Sequence, residues 1–431
     1  MKLWDKGYSI DQDIEDFTVG KDRELDLQLA TYDIIGSKAH ADMLTHIGMI
    51  SNTENQALQK ELDNIQESVS QGEFEIAEGV EDVHSQIEML LTLKLGDVGK
   101  KIHLGRSRND QVLLDLRLFF RDALKSIAED LGGLVATLLN AADAHASILI
   151  PGYTHMQIGM VSSWGLWFGG FAEGLIDDLS YAIATRDIIN RNPLGTAAGY
   201  GSSIPVDRNM TTKAMEFNGL CVNPINAQLG RGKTELQVAQ TVATIALTIN
   251  KLAMDLCLFS NENYGFLSLP IEYTTGSSIM PHKKNPDVFE LIRAKTNLLT
   301  TLPTQILSMI TNLTSGYHRD FQLQKEILMP AIMELKRIIT LVHHCVPQLI
   351  IHPTQIHDEK YRYVWSVEVV NELVRSGMPF RDAYQKVGLE IEAGSFEPST
   401  ELNHTHIGSI GNLSLDLMRD RMRSLLSKVE T

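Results

Sequence analysis

The chain has 431 residues, 43% of them apolar and 21% charged, which is too long for one compact core and too apolar for a disordered chain. A formal net charge of -16 with no block of lysines or arginines argues against a nucleic-acid partner, since phosphates need a basic face. Three scattered cysteines, Cys221, Cys257 and Cys345, form neither a disulfide frame nor a zinc knuckle, so a cytoplasmic protein of two or three folded regions is expected.

The opening Met1-Lys2-Leu3-Trp4-Asp5-Lys6-Gly7 is charged and holds no apolar run of the signal-peptide kind. From 17 to about 105 the pattern predicts short helices with acidic starts and stops at Gly48, Gly72 and Gly96. No proline precedes Pro151, which favours helix. Over 111–145, Val112, Leu116, Phe119, Ala123, Ile127, Leu131, Leu134, Leu138 and Ala142 recur every three or four residues and predict one long helix.

The stretch 146–172 carries no formal charge and superficially resembles a membrane span. Pro151, Gly152, His155, Gln157 and three serines instead read as a loop leading into a helix buried on all sides, so no membrane partner is expected. That helix is predicted over about 155–189, and its Gly165, Gly169, Gly170 and Gly174 suit close contact with other helices. Further long helices are expected over 233–264, where Val238, Val242, Ile245, Ile249, Leu252 and Leu256 hold the period, and over about 286–314 and 324–346. Pro303 and Pro330 should kink the last two.

Rods of about thirty residues span roughly 45 Å and want partners of equal length. The expected fold is therefore all-α, with a central bundle of about five long helices (106–353) between an N-terminal helical domain (1–105) and a small C-terminal one (354–431). Ala, Gly and Met on several helix faces predict an oligomer in which bundles meet.

The most informative segment is Thr275-Gly276-Ser277-Ser278-Ile279-Met280-Pro281-His282-Lys283-Lys284-Asn285-Pro286-Asp287. Gly276 lets backbone N–H groups converge, Lys283 and Asn285 supply charge and amide donors, and a helix start follows, so the segment reads as an anion clamp. It lacks the P-loop spacing, and no Gly-x-Gly-x-x-Gly follows a strand. A shorter echo, Gly201-Ser202-Ser203-Ile204-Pro205, reads as a second Gly-Ser turn at a helix start. His404-x-His406 and His343-His344 have no carboxylate or cysteine partner at ligand spacing, so no metal is expected.

The clamp resembles the signature of the fumarase/aspartase superfamily. Three further blocks, Gly105-Arg106-Ser107-Arg108-Asn109-Asp110-Gln111, Gly152-Tyr153-Thr154-His155-Met156-Gln157 and Gly316-Tyr317-His318-Arg319-Asp320-Phe321-Gln322, are similar to the argininosuccinate lyase family in particular. The resemblance spans nearly the whole chain. It implies a homotetramer with a twenty-helix core and sites shared between subunits, no cofactor, and anti elimination of argininosuccinate to arginine and fumarate. Sister lyases acting on adenylosuccinate, aspartate or malate share the clamp but lack the Arg-Ser-Arg-Asn-Asp block. A catalytically silent, crystallin-like scaffold is the reading from another class, and the presence of His155, Ser277 and Lys283 together opposes it.

The resemblance carries roles onto particular residues. Ser277 becomes the general base, with Lys283, Asn285 and nearby backbone N–H groups stabilising the aci-carboxylate formed when a proton leaves the carbon beside a carboxylate. His155 becomes the acid that protonates the leaving nitrogen, paired with Glu290, whose charge would raise the imidazole pKa. Arg108, Asn109 and Thr154 are implied near the succinyl carboxylates with Arg106 as a neighbour, His84 near the substrate in the clamp, and Tyr317, Gln322 and Lys325 around the arginine moiety. Three positions bear on the family pattern. The N-terminal run that binds substrate in many members is here Phe17-Thr18-Val19-Gly20-Lys21-Asp22-Arg23-Glu24-Leu25-Asp26, which keeps Asp22 and lacks the serine. His282 stands where many members have Gln, and Gly36-Ser37-Lys38-Ala39-His40 preserves the family's Gly-Ser-x-Ala-His.

Overall fold

The computed structural model describes residues 11–353, 355–398 and 400–429; the charged opening segment read above lies outside them. The helices are α1 (Gln12–Val19), α2 (Asp22–Asp26), α3 (Ala30–His46), α4 (Asn52–Gln71), α5 (Val83–Leu95), α6 (Asp97–Lys100), α7 (Arg108–Ala144), α8 (Trp164–Ile189), α9 (Arg208–Ala214), α10 (Pro224–Leu229) and α11 (Lys233–Phe259). They continue with α12 (Asp287–Leu299), α13 (Leu302–Ile310), α14 (Leu323–Cys345), α15 (Ser366–Arg375), α16 (Phe380–Glu392) and α17 (Leu415–Leu426). Among the described residues the fold is all-α apart from two small two-stranded sheets, β1 (Leu149–Thr154) with β2 (Gln157–Ser163) and β3 (Leu267–Ser268) with β4 (Ile350–Ile351).

The N-terminal helices end where the glycines predicted. Gly48, Gly72 and Gly96 all have positive φ, and Gly72 closes α4 in the left-handed conformation. The other end of α4 is a capping box, in which Ser51 N donates to Glu54 Oε2 at 2.8 Å and Glu54 N to Ser51 Oγ at 3.3 Å.

Two expected helices differ. The helix predicted from about 155 begins at Trp164, because residues 149–163 form an antiparallel hairpin. Its strands hold Ile150, Ile158 and Val161, and a Cβ on Gly152 would stand 3.1 Å from Met160 O, so glycine permits the close pairing. Ser163 then caps α8, accepting from Leu166 N at 3.0 Å. The helix expected over 286–314 is two helices, since Pro303 in the first turn of α13 cannot donate into a continuing ladder. Pro330, by contrast, lies inside α14 without ending it.

By contacts the chain divides into two compact units. One runs through Ile127 and takes in Tyr181–Ala243 and Thr300–Glu334. Its core includes Ala39, Leu114, Leu118, Leu194, Met215 and Phe217, and α3 touches α7 so closely at Gly36 that a Cβ there would sit 2.5 Å from Leu114 Cδ2. The other comprises Ala128–Ser180, Thr244–Leu299 and the chain from Leu335 on. An aromatic cluster of Trp164, Trp167, Phe168, Phe259 and Phe266 fills its centre, and Trp167 Nε1 donates to Asp255 Oδ2 at 3.0 Å. Val370, Ala383, Val387 and Phe396 form a separate small cluster near its C-terminus.

One stretch, Pro224–Phe259, is long and apolar enough to cross a membrane by length and composition, and 44% of its most apolar window is buried inside the chain. The stretch that caught the eye in the sequence, 146–172, is instead the hairpin and the start of α8.

Gly165 is a point of backbone contact in the second unit. An added Cβ would meet Ala146 Cα at 2.7 Å, Leu413 Cδ1 at 2.7 Å and Ala142 O at 2.9 Å. Gly165→Val is expected to lower unfolding free energy by about 1–3 kcal/mol through overpacking; a wild-type urea midpoint would contradict that contact.

Candidate active site

In the first unit a buried charge network lines a narrow cleft. Lys325, near the start of α14, places Nζ 2.5 Å from Asp26 Oδ1 and 2.8 Å from Asp22 Oδ1. Asp22 and Asp26 share a face because they lie one helical turn apart. One ammonium thus serves two buried carboxylates. Burial pushes Asp22 up to about 6, only partly offset by Lys325, while Asp26 and Asp22 overcome burial to hold Lys325 above its usual value. Asp22 is therefore an incompletely compensated carboxylate that takes up a proton more readily than a free one.

A second set of pairs runs beside it. Arg108 spans Glu81 (Nη1 to Oε2, 2.9 Å), Asp82 (Nε to Oδ2, 3.0 Å) and Ser85 (Nη2 to Oγ, 3.0 Å). Arg319 Nη2 reaches the other Glu81 oxygen at 3.0 Å and Thr18 O at 2.7 Å. Burial would raise Glu81, but Arg108 and Arg319 outweigh it and keep the carboxylate charged. Gln322 Nε2 donates to Thr18 O and Val19 O, each at 3.0 Å, tying the end of α1 to the turn before α14.

Asp22, Arg108, Tyr317, Gln322 and Lys325 line this cleft together. Arg108, Asn109 and Tyr317 also line an adjoining cavity of about 410 Å³ with His103, Arg106, Arg231 and Arg319. Its wall is strongly cationic. His103 adds no charge to it, because burial and then Arg106 and Arg108 hold the imidazole down to about 4. Arg106 is fixed from the Gly-Ser-x-Ala-His segment, donating through Nη1 to Ser37 Oγ at 3.0 Å, while His40 Nε2 bonds Leu104 O at 2.8 Å.

His84 lines neither space. It is 3% exposed, with Nδ1 2.8 Å from Asp33 Oδ1 and 3.5 Å from Asp115 Oδ2. Burial alone would lower its pKa, yet Asp33 and then Asp115 carry it up to about 9. Asp33, His84 and Asp115 thus form a compact buried cluster of one imidazole and two carboxyl groups. His404 likewise has a partner that sequence spacing did not show, Glu368 Oε1 at 3.0 Å.

The second unit carries the remaining predicted residues. Thr154 and Gln157 close the hairpin, and the two residues between them, His155 (φ 53°) and Met156 (φ 59°), both take left-handed conformations, as a type I′ turn requires. This presents His155 at an exposed tip. Just below this tip the hairpin is anchored by Tyr153, whose OH lies 3.4 Å from Tyr361 OH and whose ring meets Tyr264 at 5.6 Å.

The clamp is a loop pinched at its neck. Thr275 N donates to Asn285 O at 3.2 Å, Asn285 N to Thr275 O at 2.9 Å, and Thr275 Oγ1 to Asp287. Ser277 Oγ accepts from Met280 N at 3.1 Å and Ile279 N at 3.4 Å, so its oxygen is surrounded by donors from its own turn. Lys283 is exposed, and Lys283 N donates to Met280 O at 3.1 Å. Glu290, in the first turn of α12, lies 3.8 Å from Arg293. Among the described residues no hydrogen bond or ion pair joins Glu290 to His155 within the single chain.

A family model described as Lyase matches residues 11–298. An argininosuccinate lyase of Phocaeicola vulgatus is 53% identical across 99% of this chain and 95% of its own length, and one of Bacteroides thetaiotaomicron is 54% identical over the same shares. A third, from Xanthomonas campestris, is 39% identical across 98% of this chain and 99% of its own. This chain belongs to the argininosuccinate lyase family. Solved structures agree at the level of fold: an EDDS lyase in complex with formate superposes with a TM-score of 0.77 at 22% identity, over 98% of this chain and 92% of that one. A class II fumarase from Schistosoma mansoni does so at 0.72 and 16%, over 97% and 94%.

Five charged residues lining the cleft of this lyase-family chain received no role from sequence: Asp26, Glu81, Asp82, Arg231 and Arg319. Asp22 and Asp26, two acids four apart on a short helix, were a readable signal. Arg231, between glycines just ahead of a long helix, gave none.

The His84 cluster makes stability depend on pH. Its folded pKa of about 9 exceeds the unfolded value near 6.5, so its contribution is complete below about 6.5 and disappears as pH rises through about 9. The loss is on the order of 3 kcal/mol. Denaturant titrations from pH 6 to 10 should show this fall in wild type and a flatter profile in His84→Asn; parallel profiles would rule the cluster out as the cause.

Proposed function

We propose that the protein splits argininosuccinate reversibly into arginine and fumarate. The observation that carries this reading is the charged cavity whose wall combines Arg108, Asn109 and Tyr317 with Arg106, Arg231 and Arg319, in a chain of this family. A substrate bearing three carboxylates suits such a wall. Fumarate release from argininosuccinate, read by ultraviolet absorbance and compared with adenylosuccinate, malate and aspartate, tests it directly.

In the mechanism we infer, Ser277 takes the proton from the carbon beside a succinyl carboxylate. Its alkoxide is favoured by the N–H groups of Ile279 and Met280 and by Lys283. Lys283, Asn285 and loop N–H groups then hold the doubly charged aci-carboxylate, where each preorganised donor is worth about 2.7–4 kcal/mol. His155, assisted by Glu290, passes a proton to the departing guanidinium nitrogen. Thr154 joins Arg108 and Asn109 at the succinyl carboxylates, and Tyr317, Gln322, Lys325 and Asp22 surround the arginine moiety. His84, which lines neither space, is left out of this set of contacts.

The assembly we propose is a homotetramer whose sites draw on several subunits. Leu247 and Met254 on α11 and Leu291 and Leu298 on α12 are 41–70% exposed in the single chain, an apolar surface that association would cover. The long-helix region, 106–353, would form the joint core, flanked by 1–105 and 354–431. The cytoplasm is the proposed location.

Ser277→Ala should fold with wild-type circular dichroism and lose about 10²–10⁴-fold in turnover, the usual contribution of a positioned base. Near-wild-type turnover in that variant would take Ser277 out of the mechanism.

A further inference from the structure

Arg231 is a buried cation without a counter-ion. It is 4% exposed, and its guanidinium lies 4.9 Å above the Tyr317 ring and 5.3 Å from that of Phe321. Its Nε and Nη1 are buried with no hydrogen-bond partner, and among the described residues it belongs to no ion pair. A carboxylate does lie in the neighbourhood, Glu235, but Gly232 N already donates to its Oε2 at 2.6 Å. Glu235 also offsets a second buried guanidinium, Arg117, whose Nη1 donates to Ile189 O at 2.8 Å. Two guanidiniums thus share one carboxylate, leaving a positive charge uncompensated at the cavity wall.

The opposite imbalance occurs in the same cleft, where Lys325 is a single ammonium between Asp22 and Asp26. A cleft with surplus positive charge on one wall and surplus negative charge on another complements a zwitterion. Buried unpaired charge is strongly unfavourable, and both imbalances are relieved together by an α-amino acid head group. The aromatic faces beside Arg231 fix the plane of the guanidinium, which suits two-pronged pairing with a carboxylate.

We propose that Arg231 binds the α-carboxylate of the arginine moiety, with the Asp22 and Asp26 side of the cleft receiving its α-ammonium. This rests on the argininosuccinate reading and adds to it the residue that distinguishes an amino acid from a plain guanidino amine. Arg108 and Asn109 remain with the succinyl end.

The test runs the reaction toward synthesis, condensing fumarate with arginine or with agmatine, which is arginine without its carboxylate. Wild type should strongly prefer arginine. Arg231→Met should lose about 10- to 100-fold of that preference, the worth of one charge-assisted pair, through a raised KM for arginine with the KM for fumarate unchanged. Arg231→Lys should recover part of the loss, and it decides the matter if the Met variant does not fold. An unaltered arginine-to-agmatine preference, or a rise in the KM for fumarate instead, overturns the assignment. A wild-type protein that releases no fumarate from argininosuccinate would fail the functional reading itself, whereas an active wild type with indifferent variants fails only the role of Arg231.

Discussion

A single buried ammonium, Lys325 Nζ, holds the first unit's charged cleft together. Its two carboxylate partners come from α2, roughly 300 residues earlier in the chain, and Asp26 Oδ2 also accepts from Val83 N at 3.4 Å at the start of α5. From α5 the connections pass through Asp82 and Ser85 to Arg108, and through Glu81 back to Arg319, a few residues before Lys325. Two sets of ion pairs are thus linked by one backbone hydrogen bond and by the chain itself. Where such pairs are buried, removing one partner leaves another charge unpaired in a low-dielectric interior. Rigidity at the cleft wall follows from that interdependence.

The second unit obtains its exposed chemistry in another way. Its hairpin places two non-glycine residues, His155 and Met156, in left-handed backbone conformations, each costing roughly 1–2 kcal/mol. The strands must supply that energy, and they are fastened immediately below the turn by Tyr153, which packs with the Tyr264 and Phe266 rings and meets Tyr361. Strain concentrated at a tip that neighbouring packing holds in place is characteristic of functional turns. The clamp follows the same plan, a loop of exposed polar groups pinched by the paired backbones of Thr275 and Asn285.

Much of the fold was legible because it rests on local periodicity. The 3.6-residue spacing gave α7, α11 and α14 nearly to their ends, and glycines at left-handed positions marked the stops of α4 and α5. The hairpin was not legible, because residues 149–163 form a short apolar run whose period does not separate strand from buried helix. Ser163 as a helix cap was the available clue. In the site, motif blocks brought the residues to notice, but the ion partners were hidden, because pairing depends on which helices meet.

The sequence by itself determined most of the long helices, the side-chain chemistry of the clamp loop, and the family, since side-chain types and short spacings are properties of the chain alone. Only the tertiary structure decided that Asp22 and Asp26 share one lysine, that His84 is buried between Asp33 and Asp115, and that Arg231 Nε and Nη1 are buried with no hydrogen-bond partner among the described residues. The physical reason is that charge compensation in a protein interior is set by distance and burial. Both arise between segments hundreds of residues apart, where no local pattern records them.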